Sequence, residues 1–89
     1  MNIQLNGYAV LVKLDDDQKQ NLDISVNILK GEIIAVGNGD YLENGMFVTP
    51  NFYIGQKIKF TRAYSYCIEE EGQTYFYVKI KDIFFAYLD

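Results

Sequence analysis

Apolar and polar positions along this chain alternate in short steps, and the steps are those of β-strands rather than helices. Residues 8–14 are apolar and β-branched and end in Asp15-Asp16-Asp17. Residues 33–36 form a short apolar run bounded by Gly31 and Gly37, the pattern of a strand buried on both faces. Ile58-Lys59-Phe60 and residues 75–80 alternate or nearly so, and residues 83–88 close the chain as a last apolar strand. Turn signals separate the runs: Asn6-Gly7, Gly37-Asn38-Gly39-Asp40, Asn44-Gly45, Ile54-Gly55 and Glu71-Gly72. No stretch carries a helical apolar stripe, and residues 16–22 are too polar for a core helix. Short strands at regular spacing with glycine turns predict an all-β fold, a small barrel or sandwich.

Two stretches fit that pattern less well. Residues 15–30 open with a polar run, 15–21, that has no side chain able to anchor it. Then Leu22, Ile24, Val26 and Ile28 alternate with Asp23, Ser25 and Asn27. The alternation reads equally as a half-buried strand or as a mobile arm whose apolar residues are held for a partner. Residues 39–55 hold a hairpin, Tyr41-Leu42-Glu43-Asn44-Gly45-Met46-Phe47, with Asn44-Gly45 at its tip and Pro50 after it.

Composition narrows the function. Hydrophobic residues make up 49% of the 89, enough for one globular domain and too many for a disordered chain. Eight Lys and Arg against twelve Asp and Glu leave a net charge of -4, which argues against nucleic acid as a partner. There is no His, so His-dependent triads, bases and metal sites are excluded. The single Cys67, between Tyr66 and Ile68, rules out an internal disulfide, fits a reducing compartment and reads as a structural thiol. Asp15-Asp16-Asp17 lacks the spaced ligands of a calcium loop and reads as a solvated acidic run; Glu69-Glu70-Glu71 reads as a charged turn. The longest apolar run is six residues, 83–88, far short of the roughly twenty that span a membrane, and the N-terminus lacks the features of a signal peptide. A binding or assembly protein of the cytoplasm is expected, not an enzyme.

At Gly31-Glu32-Ile33-Ile34-Ala35-Val36-Gly37-Asn38-Gly39 the chain resembles the Gly-Glu-Val-x-Ala-Val-Gly-x-Gly segment of the GroES-like co-chaperonins, the ten-kilodalton chaperonin family. Leu42-Glu43-Asn44-Gly45 resembles the family's roof hairpin. Pro50, Ile54-Gly55-Gln56-Lys57-Ile58 and Phe60 follow in order, then Gly72-Gln73-Thr74-Tyr75 and Asp82-Ile83-x-x-Ala86. Met1-Asn2-Ile3 and Val10-Leu11-Val12-Lys13 resemble the first strand.

The resemblance implies an irregular β-barrel, a homo-oligomer in the form of a heptameric ring, and a GroEL-like chaperonin that the ring caps over unfolded client proteins. It implies no cofactor in this chain, since ATP is bound by the chaperonin, and neither nucleic acid nor membrane as a partner. The mobile loop would span about 15–30 and the roof hairpin about 39–50, with Tyr41, Leu42, Glu43, Asn44 and Gly45 in the roof. The chaperonin contact would come from Ile24-Ser25-Val26 with Leu22 beside it, and Ile28-Leu29 as second choice. Ile3 and Leu5 of one subunit would meet Phe84, Phe85 and Tyr87 of the next. The chain departs from the family pattern in a shorter loop, no Gly-Gly before the tripeptide, Ser25 at its centre, Gln56 for Asp and Ser65 for Gly. Such departures would suit a specialised member, for instance a virus-encoded one. The rivals are a barrel of this kind that serves in assembly without a chaperonin, and an unrelated barrel for single-stranded nucleic acid.

Overall fold

The computed structural model describes residues 3–15, 27–63 and 65–88. Strand β1 spans Ala9–Leu14 and β2 Ile28–Val36, followed by the short pair β3, Asp40–Tyr41, and β4, Phe47–Val48. Then come β5, Lys57–Thr61, β6, Tyr66–Glu70, β7, Gln73–Lys79, a 3₁₀ turn at Ile80–Asp82, and β8, Ile83–Ala86. Six strands join one antiparallel sheet in the order β6-β7-β1-β2-β5-β8; β3 and β4 form a separate hairpin. No helix among the described residues is long and apolar enough to cross a membrane.

The sheet curls on itself. Strands β7 and β8 lie four positions apart in the sheet, about 19 Å if it were flat. Yet only Ile80–Asp82 joins them, a link that reaches about 14 Å at full extension. Two register shifts help the bend. Ile34 is the extra residue of β2 between the Leu11 and Val12 pairs, and Phe84 the extra residue of β8 between the Lys59 and Phe60 pairs. Such bulges bend a strand and increase its twist. The inner face closes on Val10, Val12 and Leu14 of β1, Leu29 and Ile33 of β2, Ile58 and Phe60 of β5, and Phe76 and Val78 of β7. Phe60 and Phe76 meet across the interior with ring centroids 5.6 Å apart. A smaller outer cluster, Leu11, Ala35 and Tyr75 with Leu5 and Ile34 against it, buries β1 from the other side.

Several expectations change. Strand β2 starts at Ile28, five residues before the apolar run at 33–36, and it alternates rather than being buried on both faces. Strand β6 was hidden because all five of its residues are exposed. Glu69 and Glu70 are paired in it, opposite Thr74 and Gln73, rather than in a turn. Cys67 lies exposed on this edge strand, not in the core. The mirror-image turn suited to a two-residue hairpin falls on Glu71-Gly72, with φ of 50° and 77°. At the β3–β4 hairpin the Gly45 amide donates to the Leu42 carbonyl, and of the two tip residues only Gly45 has positive φ. Asn44 there is a turn residue whose Oδ1 accepts from the Met46 amide at 3.0 Å.

The glycine-rich segment 31–39 has a packing reason. The Gly37 amide donates to the Ala9 carbonyl at 2.8 Å, the Asn38 amide to Leu5 and the Gly39 amide to Gly7. The chain leading into β1 therefore lies directly against this stretch, and a Cβ on Gly37 would collide with the carbonyls of Gly7 and Ala9. Backbone cannot yield as a side-chain tip can. Gly37→Ala should cost about 3 kcal/mol in urea unfolding, the scale of an overpacked core. Gly45→Asn, at an open tip in a conformation Asn tolerates, should cost less than about 1 kcal/mol.

Candidate functional site

Three surfaces carry the residues expected to function. The first is the base of the connection between β1 and β2. These strands are antiparallel neighbours, so the connection leaves and re-enters at one end of the sheet. Its root is fixed. The Asp15 amide donates to the Lys30 carbonyl at 3.2 Å, and the Arg62 amide donates to the Asn27 carbonyl at 2.7 Å. The Lys57 ammonium donates to Asp15 Oδ1 at 2.7 Å and lies 3.8 Å from Glu32 Oε1. Asp15 is thus anchored, against the expectation that nothing in the acidic run would be held; the anchor comes from β5, forty-two residues away. One cation between two carboxylates partly offsets an acidic cluster at the sheet's end.

Of the expected chaperonin-contact residues, Leu22, Ile24, Ser25 and Val26 lie outside the described residues. Ile28 and Leu29 are the first two residues of β2, paired with Thr61 and Phe60. Leu29 is 0% exposed and belongs to the core, so it cannot serve a partner; Ile28 points the other way and is 51% exposed. The β1–β2 connection is therefore shorter than 15–30 at its C-terminal side, because alternation from Leu29 onward is already strand.

The second surface is the β3–β4 hairpin. It stands apart from the main sheet, and Tyr41, Leu42, Met46 and Phe47 are all exposed on it. Tyr41 and Phe47 pack edge to face with centroids 5.0 Å apart, which stiffens the two short strands. Asp40 Oδ1 accepts from the Tyr41 amide at 2.8 Å. Glu43, Asn44 and Gly45 form its tip.

The third surface is formed by the outer strands. Phe84 and Phe85 are more than half or half exposed on β8, with Tyr87 and Leu88 beyond it. Phe85 and Tyr87 meet edge to face at 5.3 Å, and the Lys30 ammonium sits 4.7 Å from the Tyr87 ring centre. Ile3 is exposed, whereas Leu5 is half-buried against Leu11, Ala35 and Tyr75 of its own chain. Leu5 therefore offers a partner only part of its surface. Gln56, where the family pattern has Asp, is buried, and its Oε1 accepts from the Tyr53 amide at 3.3 Å; a neutral amide here does the turn-holding work of a carboxylate. Ser65 similarly closes its bend by donating Oγ–H to the Thr61 carbonyl at 2.8 Å. Sequence reasoning missed Lys57, because nothing local marks a cross-strand cation, and it missed the edge strand β6.

Residues 9–87 match the model of the family described as chaperonin 10 Kd subunit. A co-chaperonin GroES of Ligilactobacillus salivarius is 32% identical over 84 residues, 86% of this chain and 89% of that protein. One from Natranaerobius thermophilus is 32% identical over 90 residues, 93% and 95% of the two chains. One from Enterococcus faecalis is 42% identical over 53 residues, 60% of this chain and 56% of that one.

Ile28→Ser should leave the unfolding midpoint nearly unchanged, while Leu29→Ser should cost about 3 kcal/mol or more, as a buried large apolar side chain is replaced by a small polar one. Parallel thermal melts of the two variants check the assignment of the strand boundary.

Proposed function

The chain belongs to the chaperonin 10 Kd subunit family, that of the co-chaperonins, and on this premise we propose that seven copies form a ring that caps a GroEL-like chaperonin while a non-native protein folds beneath it. Co-chaperonins bind and release; they are not enzymes, and the ATP chemistry belongs to the chaperonin. The observation that carries the reading is the near full-length match to relatives named co-chaperonin GroES, on an all-β sheet with a fixed root at the β1–β2 connection. The 89 residues act as one domain, with the loop between Asp15 and Asn27 as the chaperonin contact and 39–50 as the roof. This reading places the protein in the cytoplasm. The relatives above are bacterial, and nothing in them supports a virus-encoded origin.

Leu22, Ile24 and Val26 supply the apolar contact, with Ser25 between the last two; Leu29 is removed from that set by its burial. A loop that orders on binding loses roughly 2–5 kcal/mol of its interaction energy to that ordering, so each contact is weak. Repetition around one ring turns weak contacts into strong attachment through effective concentration. A small loss per loop, when the chaperonin changes state, then releases the whole cap. The Lys57–Asp15 pair supports this by fixing where the loop starts. Between subunits, Ile3 meets Phe84, Phe85 and Tyr87 of the neighbour.

Electron microscopy of the protein alone, and mixed with a GroEL-like chaperonin and ATP, tests the reading. Rings that cap the chaperonin support it. Rings that never cap favour an assembly role without a chaperonin. Ile24→Ser with Val26→Ser should abolish capping and leave the ring intact, and unchanged capping would sink the contact assignment. Phe84→Ser with Phe85→Ser should yield folded monomers by sedimentation. Deleting β8 outright is a poorer test, because Ile83 and Ala86 also pack on the core.

A further inference from the structure

Two surfaces at the two ends of the strand order are alike in apolar content and opposite in charge. The first is a groove of about 400 Å³ on the outer side of β6, β7 and the segment before β1. Ile3, Leu5, Ile68 and Tyr75 bound it, and Glu70 and Glu71 stand on its rim. The second is the outer side of β8, β5 and β2. There Phe85 and Tyr87 project as an edge-to-face pair, Lys30 lies over Tyr87, and Lys59 faces Phe85 in the ladder. Lys30 and Lys59 are themselves cross-strand partners, so two cations flank the aromatic pair.

Among the described residues both β6 and β8 are edge strands with one neighbour each, so each offers a backbone edge beside its apolar patch. The patches differ, so contact between copies is heterologous and repeats in one direction, as a ring requires. Resting on the ring reading, we infer that the seam between copies is polarised in charge: the Glu70 and Glu71 rim of one copy faces Lys30 and Lys59 of the next, while Phe85 and Tyr87 enter the groove beside Ile68. Apolar burial supplies the strength of this contact. The charges decide which edge meets which. Two grooves facing each other would bring four carboxylates together, and two β8 faces would bring four ammonium groups together. Either two-fold dimer is disfavoured, and the head-to-tail arrangement alone pairs opposite signs.

The test is a charge swap read by sedimentation velocity at low salt, with circular dichroism melts confirming that each variant folds. Glu70→Lys with Glu71→Lys places cation against cation in every seam; Lys30→Glu with Lys59→Glu places acid against acid. Each pair should raise the concentration needed for half-assembly at least about tenfold. The fourfold variant carrying both pairs restores opposite signs and should assemble nearly as the original chain does. Raising salt from about 50 mM to about 500 mM should weaken the original ring and relieve the defect of each double variant. A ring indifferent to both reversals, or a fourfold variant no better than the doubles, overturns the inference. Should the Lys30 and Lys59 pair fail to fold, the Glu70 and Glu71 arm with its salt series decides alone. An original chain that sediments as a monomer at every concentration overturns the ring reading itself.

Discussion

The contact between the rings of Phe60 and Phe76 is the constraint on which the fold depends. The two residues sit on β5 and β7, with β2 and β1 between them, so in a flat sheet they would be about 14 Å apart. Their centroids are 5.6 Å apart, because the sheet has wrapped around them. One sheet thereby makes its own core without a second layer or a helix to cover it. The cost is that little interior is available in a chain this short. Apolar residues that the interior cannot hold, among them Tyr41, Met46, Phe84, Phe85 and Leu88, stay outside, where another copy or another protein can bury them.

The same wrapping sets where structure ends and binding begins. Leu29 is drawn into the core opposite Phe60, and its neighbour Ile28 is left in solvent. A single step along the chain therefore separates a residue that supports the sheet from the flank of the segment assigned to the chaperonin. Lys57 sharpens that border from the other strand by holding Asp15 beside Glu32. At the two ends of the connection, the Asp15 amide bonds to the Lys30 carbonyl and the Asn27 carbonyl to the Arg62 amide, so both ends are held on the sheet.

How much of this is legible in the sequence follows from which signals are local. The centres of β5 and β7 can be read because apolar residues at alternate positions face the interior, β1 because its residues are covered on both faces, and β8 as a short apolar run although Phe84 and Phe85 stay exposed. Strand β6 cannot, since an edge strand exposed on all its residues has no alternation to show, and its glutamates look like a turn. The start of β2 is obscured by Ile28, an exposed apolar residue that continues the pattern of Leu22, Ile24 and Val26 and makes loop and strand look alike. Glu71 takes the left-handed conformation because its place between two paired strands demands it, although Asn44-Gly45 carries the stronger local turn signal. The glycines at 31, 37 and 39 are visible as a motif, but their cause, backbone approach from Gly7, Ala9, Lys13 and Val48, is a tertiary fact.

The strand order also governs when the fold can form. Strand β1 is the second position inward from one edge, and it pairs on one side with β2 and on the other with β7, where Val10 faces Val78. During synthesis at about 5–20 residues per second, β1 waits several seconds for that second partner. Until then its buried valines and one full backbone edge stand open to any other chain nearby. Contacts of such long sequence separation also place this sheet among the slower two-state folders. A protein assigned to helping others fold is, by the order of its own strands, exposed to misassociation while it is being made.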